Sequence, residues 1–219
     1  MTTDTYTTLA GPVEGIFRDR GSKFIAYAYP VFDEEEIQEC LTKVQQLHFK
    51  ARHHCYGWRL GVDGTQFRAN DDGEPSGTAG RPILGQIDSF GLTNVLIVVV
   101  RYFGGTLLGT SGLINAYRGA AADALEGAAT IDKTIEAIYR LDFDYSIMSS
   151  VMNAVKGMEL EMVRQEFAET AWLEVALRIG EKETLLHQLK AHIAGKRLTE
   201  LDPEDKVEGL KVTYDRTRG

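Results

Sequence analysis

Between Asn70 and Arg118 the chain carries two glycine-rich turns, each placed to open a helix. Gly104 to Ser111 reads GGTLLGTS, the spacing of a phosphate loop, G-x-x-x-x-G-K-[ST], with Thr110 where the lysine belongs. That lysine holds the β and γ phosphates as a point charge, so its replacement removes the main electrostatic clamp of a nucleoside triphosphatase. What is left is a strand, a flexible turn at Gly104 and Gly105, and a helix N-terminus whose free backbone N–H groups can hold an anion weakly. The same glycines serve equally well for a tight turn and close packing.

The second turn, Asp71 to Pro82, combines three carboxylates, capping hydroxyls and Arg81. Carboxylates suit a hard cation such as Mg²⁺ or Ca²⁺, but the alternate-residue spacing of an EF-hand is absent. Residue types favour the plainer reading, a solvated Asp-Gly turn followed by a Ser76 or Thr78 helix cap. Arg101 stands at the end of an aliphatic run, beside the other glycine turn. It is placed for an anion, and otherwise needs a carboxylate partner such as Asp71 or Asp72. Arg52-His53-His54-Cys55, with His48 upstream, offers nitrogen and sulfur ligands. Adjacent His53 and His54 point to opposite faces of a strand, and no second ligand pair has zinc-site spacing, so no metal site is assigned. Cys55 as a nucleophile needs an oriented base and an oxyanion hole that a sequence does not display. No catalytic residue and no cofactor is assigned.

These groups must be positioned by the surrounding elements. A hairpin is expected from Val13 to Arg18 and Ser22 to Val31 across Gly21. Asp33 and Glu36 then read as a capping box for a helix on which Ile37, Cys40, Leu41, Val44 and Leu47 face one core. Tyr56 to Val62 alternates as a half-buried strand, with a partner from Gln66 to Arg68. A helix carries Ile83, Leu84 and Ile87. Val95 to Phe103 is apolar almost without a break, which predicts a strand covered on both faces, and a small-residue helix runs from about Ser111 to Glu126. The order is ββαββαβα. From Ile135 to Tyr145 every second residue is apolar or aromatic, which restarts the pattern as βαββαβ, the ferredoxin-like arrangement. The final strand is expected near Val207 to Tyr214. The sequence therefore divides into domains at 1–132 and 133–219, and its fold class is α+β.

Composition limits the function. At 219 residues and 43% hydrophobic the chain can bury an ordinary core. A net charge of -8 argues against a general polyanion binder, and both halves share the acidity, so any anion site must be local. Two cysteines do not make a disulfide framework. With no export signal visible and no aliphatic run long enough to span a bilayer, a cytoplasmic protein with no membrane partner is expected.

The stretch GRPILGQIDSFGLTNVLIVVVRYFGGTLLG, Gly80 to Gly109, resembles the signature of the IMPACT family, in particular its bacterial YigZ-like members. SKFIAYAYPV from Ser22, ARHHCYGWRLG from Ala51 and NDDGEPSGTAG from Asn70 extend the likeness over most of residues 13–128. The resemblance implies an N-terminal α/β sandwich similar to domain IV of elongation factor G, and a ferredoxin-like C-terminal domain similar to its domain V. It also implies a link to translation. Eukaryotic relatives damp the amino-acid-starvation kinase, a stress-response enzyme, by competing for its ribosome-associated activator through protein binding rather than catalysis. Their ubiquitin-conjugating-like recognition domain has no counterpart here, so that partner is not carried over.

The expected function is a noncatalytic binding protein near translation. Its contacts to RNA, the ribosome or a translation-related protein fall on Arg52, His54, Asp71, Asp72, Arg81, Arg101, Tyr102, Gly104, Gly105 and Arg118, with a local anion site among them. The alternative is a small phosphate-handling or hydrolytic enzyme using Asp71, Asp72 and Arg101. A third reading, a protein-docking face, predicts that Leu107 and Leu108 are exposed.

Overall fold

The computed structural model describes residues 4–219. In chain order the strands and helices are Thr5–Leu9 (β1), Val13–Asp19 (β2), Ser22–Pro30 (β3), Glu34–Leu47 (α1), His53–Leu60 (β4), Gln66–Asn70 (β5) and Gly80–Ser89 (α2). They continue as Val95–Tyr102 (β6), Gly109–Leu125 (α3), Thr130–Thr134 (β7), Glu136–Phe143 (β8), Met148–Gly157 (α4) and Glu161–Phe167 (β9). Ala171–Arg178 (β10), Lys182–Ala194 (α5) and Leu210–Arg218 (β11) complete the chain. Two compact units result, one spanning Tyr6–Lys133 and the other 134–219 together with residues 4–5. Both mix helices with antiparallel sheet.

In the larger unit five strands form one sheet in the order β2-β3-β6-β4-β5, with every neighbouring pair antiparallel. The long apolar run makes β6 the central strand, and successive side chains enter opposite cores. Val95, Ile97 and Val99 join Ile83 and Ile87 of α2 and Leu113, Tyr117 and Ala121 of α3. Leu96, Val98 and Val100 meet Ile37, Leu41 and Val44 of α1 on the other face. Each of these six strand residues is fully buried, which contributes roughly 1.5–3 kcal/mol apiece before entropy is counted. The expected coverage of both faces is observed. The small residues of α3 allow it to lie close to the sheet. A Cβ at Gly15 of β2 would stand 2.2 Å from the Ala124 nitrogen, so only glycine admits this approach.

The N-terminus of α1 is capped much as its sequence suggests. Asp33 Oδ1 accepts from the Glu36 N–H at 2.8 Å, while Glu36 Oε2 accepts from the Phe32 N–H, one residue earlier than in a capping box. Leu47, expected in the core, is 62% exposed at the end of the helix. A separate two-stranded sheet joins β1 to β7. The sequence predicts neither strand, because five residues are too few to declare a period and each finds its partner more than 120 residues away.

The smaller unit follows βαββαβ with strand order β11-β8-β10-β9, all antiparallel, the ferredoxin-like arrangement. Leu141, Leu173, Val175 and Leu177 of the sheet pack on Val151 and Val155 of α4 and Leu189 and Ile193 of α5. The last strand runs to Arg218, beyond the expected Tyr214. Its end is polar because it is held by charge. Arg218 Nη2 lies 2.6 Å from Glu136 and 2.7 Å from Glu161, and Arg216 Nη2 lies 3.0 Å from Glu174.

Candidate functional site

The Asn70–Gly80 turn is closed by its own first aspartate. Asp71 Oδ2 accepts the Gly77 N–H at 2.8 Å, and Oδ1 accepts those of Ala79 at 3.0 Å and Gly80 at 2.8 Å. Asp71 thereby supplies the acceptors at the start of α2 that a neighbouring cap would have supplied. The helix N-cap itself is Ala79, with no side-chain hydrogen bond, and Thr78 Oγ1 instead donates to the Pro75 carbonyl at 2.6 Å. The expected Ser76 or Thr78 cap is therefore replaced by a carboxylate well upstream of the N-cap. Burial pushes the Asp71 carboxyl up, but the three N–H groups and the Arg81 charge outweigh it and hold it below the usual aspartate value.

Asp72 is engaged as well. Its Oδ2 accepts the His54 N–H at 2.7 Å and lies 3.9 Å from His54 Nδ1, while the Asp72 N–H donates to Asn70 Oδ1 at 2.8 Å. The turn is thus pinned to β4. The third carboxylate takes the role expected of the other two. Arg101 Nη1 reaches Glu74 Oε1 at 2.6 Å, with the two side chains 8% and 4% exposed. Tyr117 OH, from α3, donates to the same oxygen at 2.8 Å. Here the two aspartates reach only their own turn and β4, whereas the glutamate, longer by one methylene, spans to β6. That length difference is the sequence signal that could have pointed to Glu74 in place of Asp71 or Asp72. The Arg101 guanidinium is held between the rings of Phe24 and Phe103, 5.5 Å from each centroid.

Cys55 lies beneath this network, 2.9 Å from the Asp71 carbonyl oxygen and 3.3 Å from Tyr117 OH. Burial pushes both the Cys55 thiol and the Tyr117 phenol well above their ordinary values, so both groups are neutral packing and hydrogen-bonding partners. His48 is fixed by two phenols, Tyr27 OH at 2.7 Å from Nε2 and Tyr102 OH at 2.9 Å from Nδ1. Burial, then the charges of His54 and Lys23, depress its pKa. The Tyr102 hydroxyl is therefore occupied, and His54 Nε2 lies 3.3 Å from the His48 carbonyl oxygen. Among the described residues no group of three or more His, Cys, Asp or Glu is placed to hold a metal ion.

The arginines divide between two clefts. Arg52, Arg101 and Tyr102 line one of about 460 Å³ together with Lys50, Phe103 and Leu107. Arg81 and Arg118 line another of about 400 Å³, between α2 and α3. Arg52, Arg81 and Arg118 are exposed and have no carboxylate partner among the described residues. Gly104 serves close packing. A Cβ there would stand 1.9 Å from the Gly21 carbonyl carbon, and the Gly104 N–H donates to Ser22 Oγ at 3.1 Å. Gly105 takes a left-handed φ of 87°, and α3 then starts at Gly109, two residues before the expected Ser111. Leu107 is 82% exposed, while Leu108 is buried in the core. Phe103, 59% exposed at the mouth of the first cleft, is not singled out by the sequence because it continues the apolar run of β6.

Comparison with known proteins sets these features beside relatives. The pattern described as the Impact N-terminal domain matches residues 20–125. The chain is similar to IMPACT family member YigZ of Escherichia coli (strain K12), 35% identical over 170 residues that cover 77% of this chain and 83% of that protein. A crystal structure described only as that of a hypothetical protein is 29% identical, covers 98% of each chain, and superposes with a TM-score of 0.74. The structure of the two-domain translational regulator Yih1 is 29% identical over 56% of this chain and 47% of its own, with a TM-score of 0.34.

Proposed function

The chain belongs to the IMPACT family, and on that premise we propose that it is a noncatalytic binding protein with a regulatory role in translation, contacting RNA, the ribosome or a translation-related protein through its 70–118 surface. The observation that carries the reading is how the charged groups are used. Asp71, Asp72 and Glu74 are engaged by N–H groups and by Arg101, whereas Arg52, Arg81 and Arg118 stand exposed with no ion pair among the described residues. Exposed cations near carboxylates that are already engaged suit recognition of an anionic surface, and their small number fits a chain of net charge -8. The cellular setting is the link to translation that the family resemblance implies. A cytoplasmic location accompanies this reading. Among the described residues no helix is long and apolar enough to cross a membrane.

The enzymatic alternative draws less support, because Asp71, Asp72 and Arg101 each already hold another part of the protein. Calorimetric titration with nucleotide and Mg²⁺ separates the two readings, and heat from a saturable site would favour the enzyme. The binding reading itself is tested by cosedimentation of the full chain with ribosomes. Association is expected at about 50 mM salt and is lost toward about 200 mM. Arg52→Gln and Arg118→Gln each weaken it while leaving the melting temperature unchanged. No cosedimentation at the lower salt overturns the reading.

A further inference from the structure

The cleft lined by Lys50, Arg52, Phe103 and Leu107 combines cations with exposed apolar side chains. Lys50 and Arg52 line it without an ion-pair partner among the described residues, Arg101 is paired with Glu74, and no carboxylate is among the lining residues, in a protein that is acidic overall. It also presents two large apolar side chains to water, Phe103 at 59% and Leu107 at 82% exposure. A phosphate alone would use the cations and leave the aromatic ring idle. An acidic peptide uses both only where an apolar side chain happens to flank its carboxylate. A nucleotide uses both, since its base stacks on an aromatic face and its phosphate meets the cations.

We infer that this cleft takes an unpaired nucleotide of a single-stranded nucleic acid, with the base against Phe103 and the backbone phosphate at Lys50 and Arg52. The platform is attached to a well-held part of the sheet. Phe103 stands directly after β6, its ring held by the Arg101 guanidinium 5.5 Å from its centroid, and Arg101 is anchored in turn by Glu74, which Tyr117 also holds. The contact of Gly104 with Gly21 fixes the turn that follows. The Arg101 contact reduces the ordering of the ring that binding must supply. Arg101 acts here as a positioning residue, while Lys50 and Arg52 have no carboxylate partner among the described residues and are free to neutralise phosphate. A duplex buries the faces of its bases and cannot use the ring, so the site discriminates for unpaired strands.

This inference rests on the binding reading above and names its ligand, and the test separates the two. Fluorescence anisotropy of the full chain is measured with a labelled single-stranded RNA dodecamer, the DNA of the same sequence, and the corresponding duplex. Single strands of either sugar are expected to bind at about 50 mM salt, and the duplex to bind less tightly. Phe103→Ala should weaken single-strand binding by about fivefold or more, Phe103→Leu should weaken it comparably, and Phe103→Trp should retain it, because the π face rather than apolar bulk is what the base uses. Arg52→Gln should lower the salt slope by about 0.7, the value for one lost phosphate contact on a single strand. Lys156→Gln, exposed on α4 of the smaller unit, should leave the dodecamer affinity unchanged. No dodecamer binding, equal duplex binding, or binding indifferent to Phe103→Ala overturns the inference. Should ribosome cosedimentation persist in that case, the broader reading stands without it. Phe103 is exposed, so unchanged melting of its variants separates lost stacking from lost folding.

Discussion

Replacing Arg101 with methionine tests whether the carboxylate under β6 is structural. The change keeps much of the bulk of the side chain and removes the guanidinium, leaving the Glu74 carboxylate 4% exposed with Tyr117 OH as its remaining donor. Removing one member of a buried pair strands the other charge, at a cost of about 3–5 kcal/mol. The surviving Tyr117 bond places the expectation at the low end of that range. For a unit of this size the loss lowers the melting temperature by on the order of 10–20 °C. The assay is urea unfolding at pH 7 in a Trp172→Phe background, so that Trp58, 8% exposed in the same unit, is the sole tryptophan reporter. Glu74→Gln should destabilise comparably. The double variant Arg101→Met with Glu74→Gln should cost about as much as either single change rather than their sum, a coupling of about 2–3 kcal/mol. If Arg101→Met costs less than about 1 kcal/mol, or the single costs add to within about 0.5 kcal/mol, the pair is not the strut described. The same reasoning bears on binding assays. Arg52 can be altered without touching the core, whereas Arg101 cannot.

Two further perturbations probe the glycine turns. Because Asp71 titrates below the ordinary aspartate value when folded, its contribution is complete above the unfolded pKa of about 3.9 and is lost as pH falls through the folded value. Urea melts of the wild type should steepen in their pH dependence below about pH 4 relative to Asp71→Asn, and parallel profiles would contradict the closure of the turn by that carboxylate. Gly104→Ala places a methyl where the Gly21 backbone lies, so it should cost about 1–3 kcal/mol in a thermal or urea melt. A neutral outcome there would mean that the turn after β6 gives way easily and cannot hold Phe103 in place.

Much of the architecture is legible in the sequence because its cause is local. The alternation across β4 and β8, the apolar run of β6 and the Asp33–Glu36 cap are each decided within a few residues, and side-chain period and cap chemistry do not depend on the rest of the chain. Thr110 likewise rules out the phosphate-loop lysine by residue identity alone. Strands such as β1 and β7 leave no such trace because they owe their existence to partners far along the chain. The end of β11 lies beyond its expected place because arginine–glutamate pairs, rather than a hydrophobic stripe, hold it.

The site divides along the same line. Sequence alone singled out the residue types, arginines, carboxylates and glycine turns, and confined any anion contact to a local patch, since composition and spacing are properties of the chain. Only the tertiary structure decided which of them remain available. It spent Asp71 on three N–H groups and Asp72 on His54, chose Glu74 for Arg101, gave Gly104 to close packing, and divided the exposed arginines between two clefts. The physical reason is that a charged group's role depends on what it meets across strands, and side-chain reach and burial are settled only when β4, β6 and α3 are brought together.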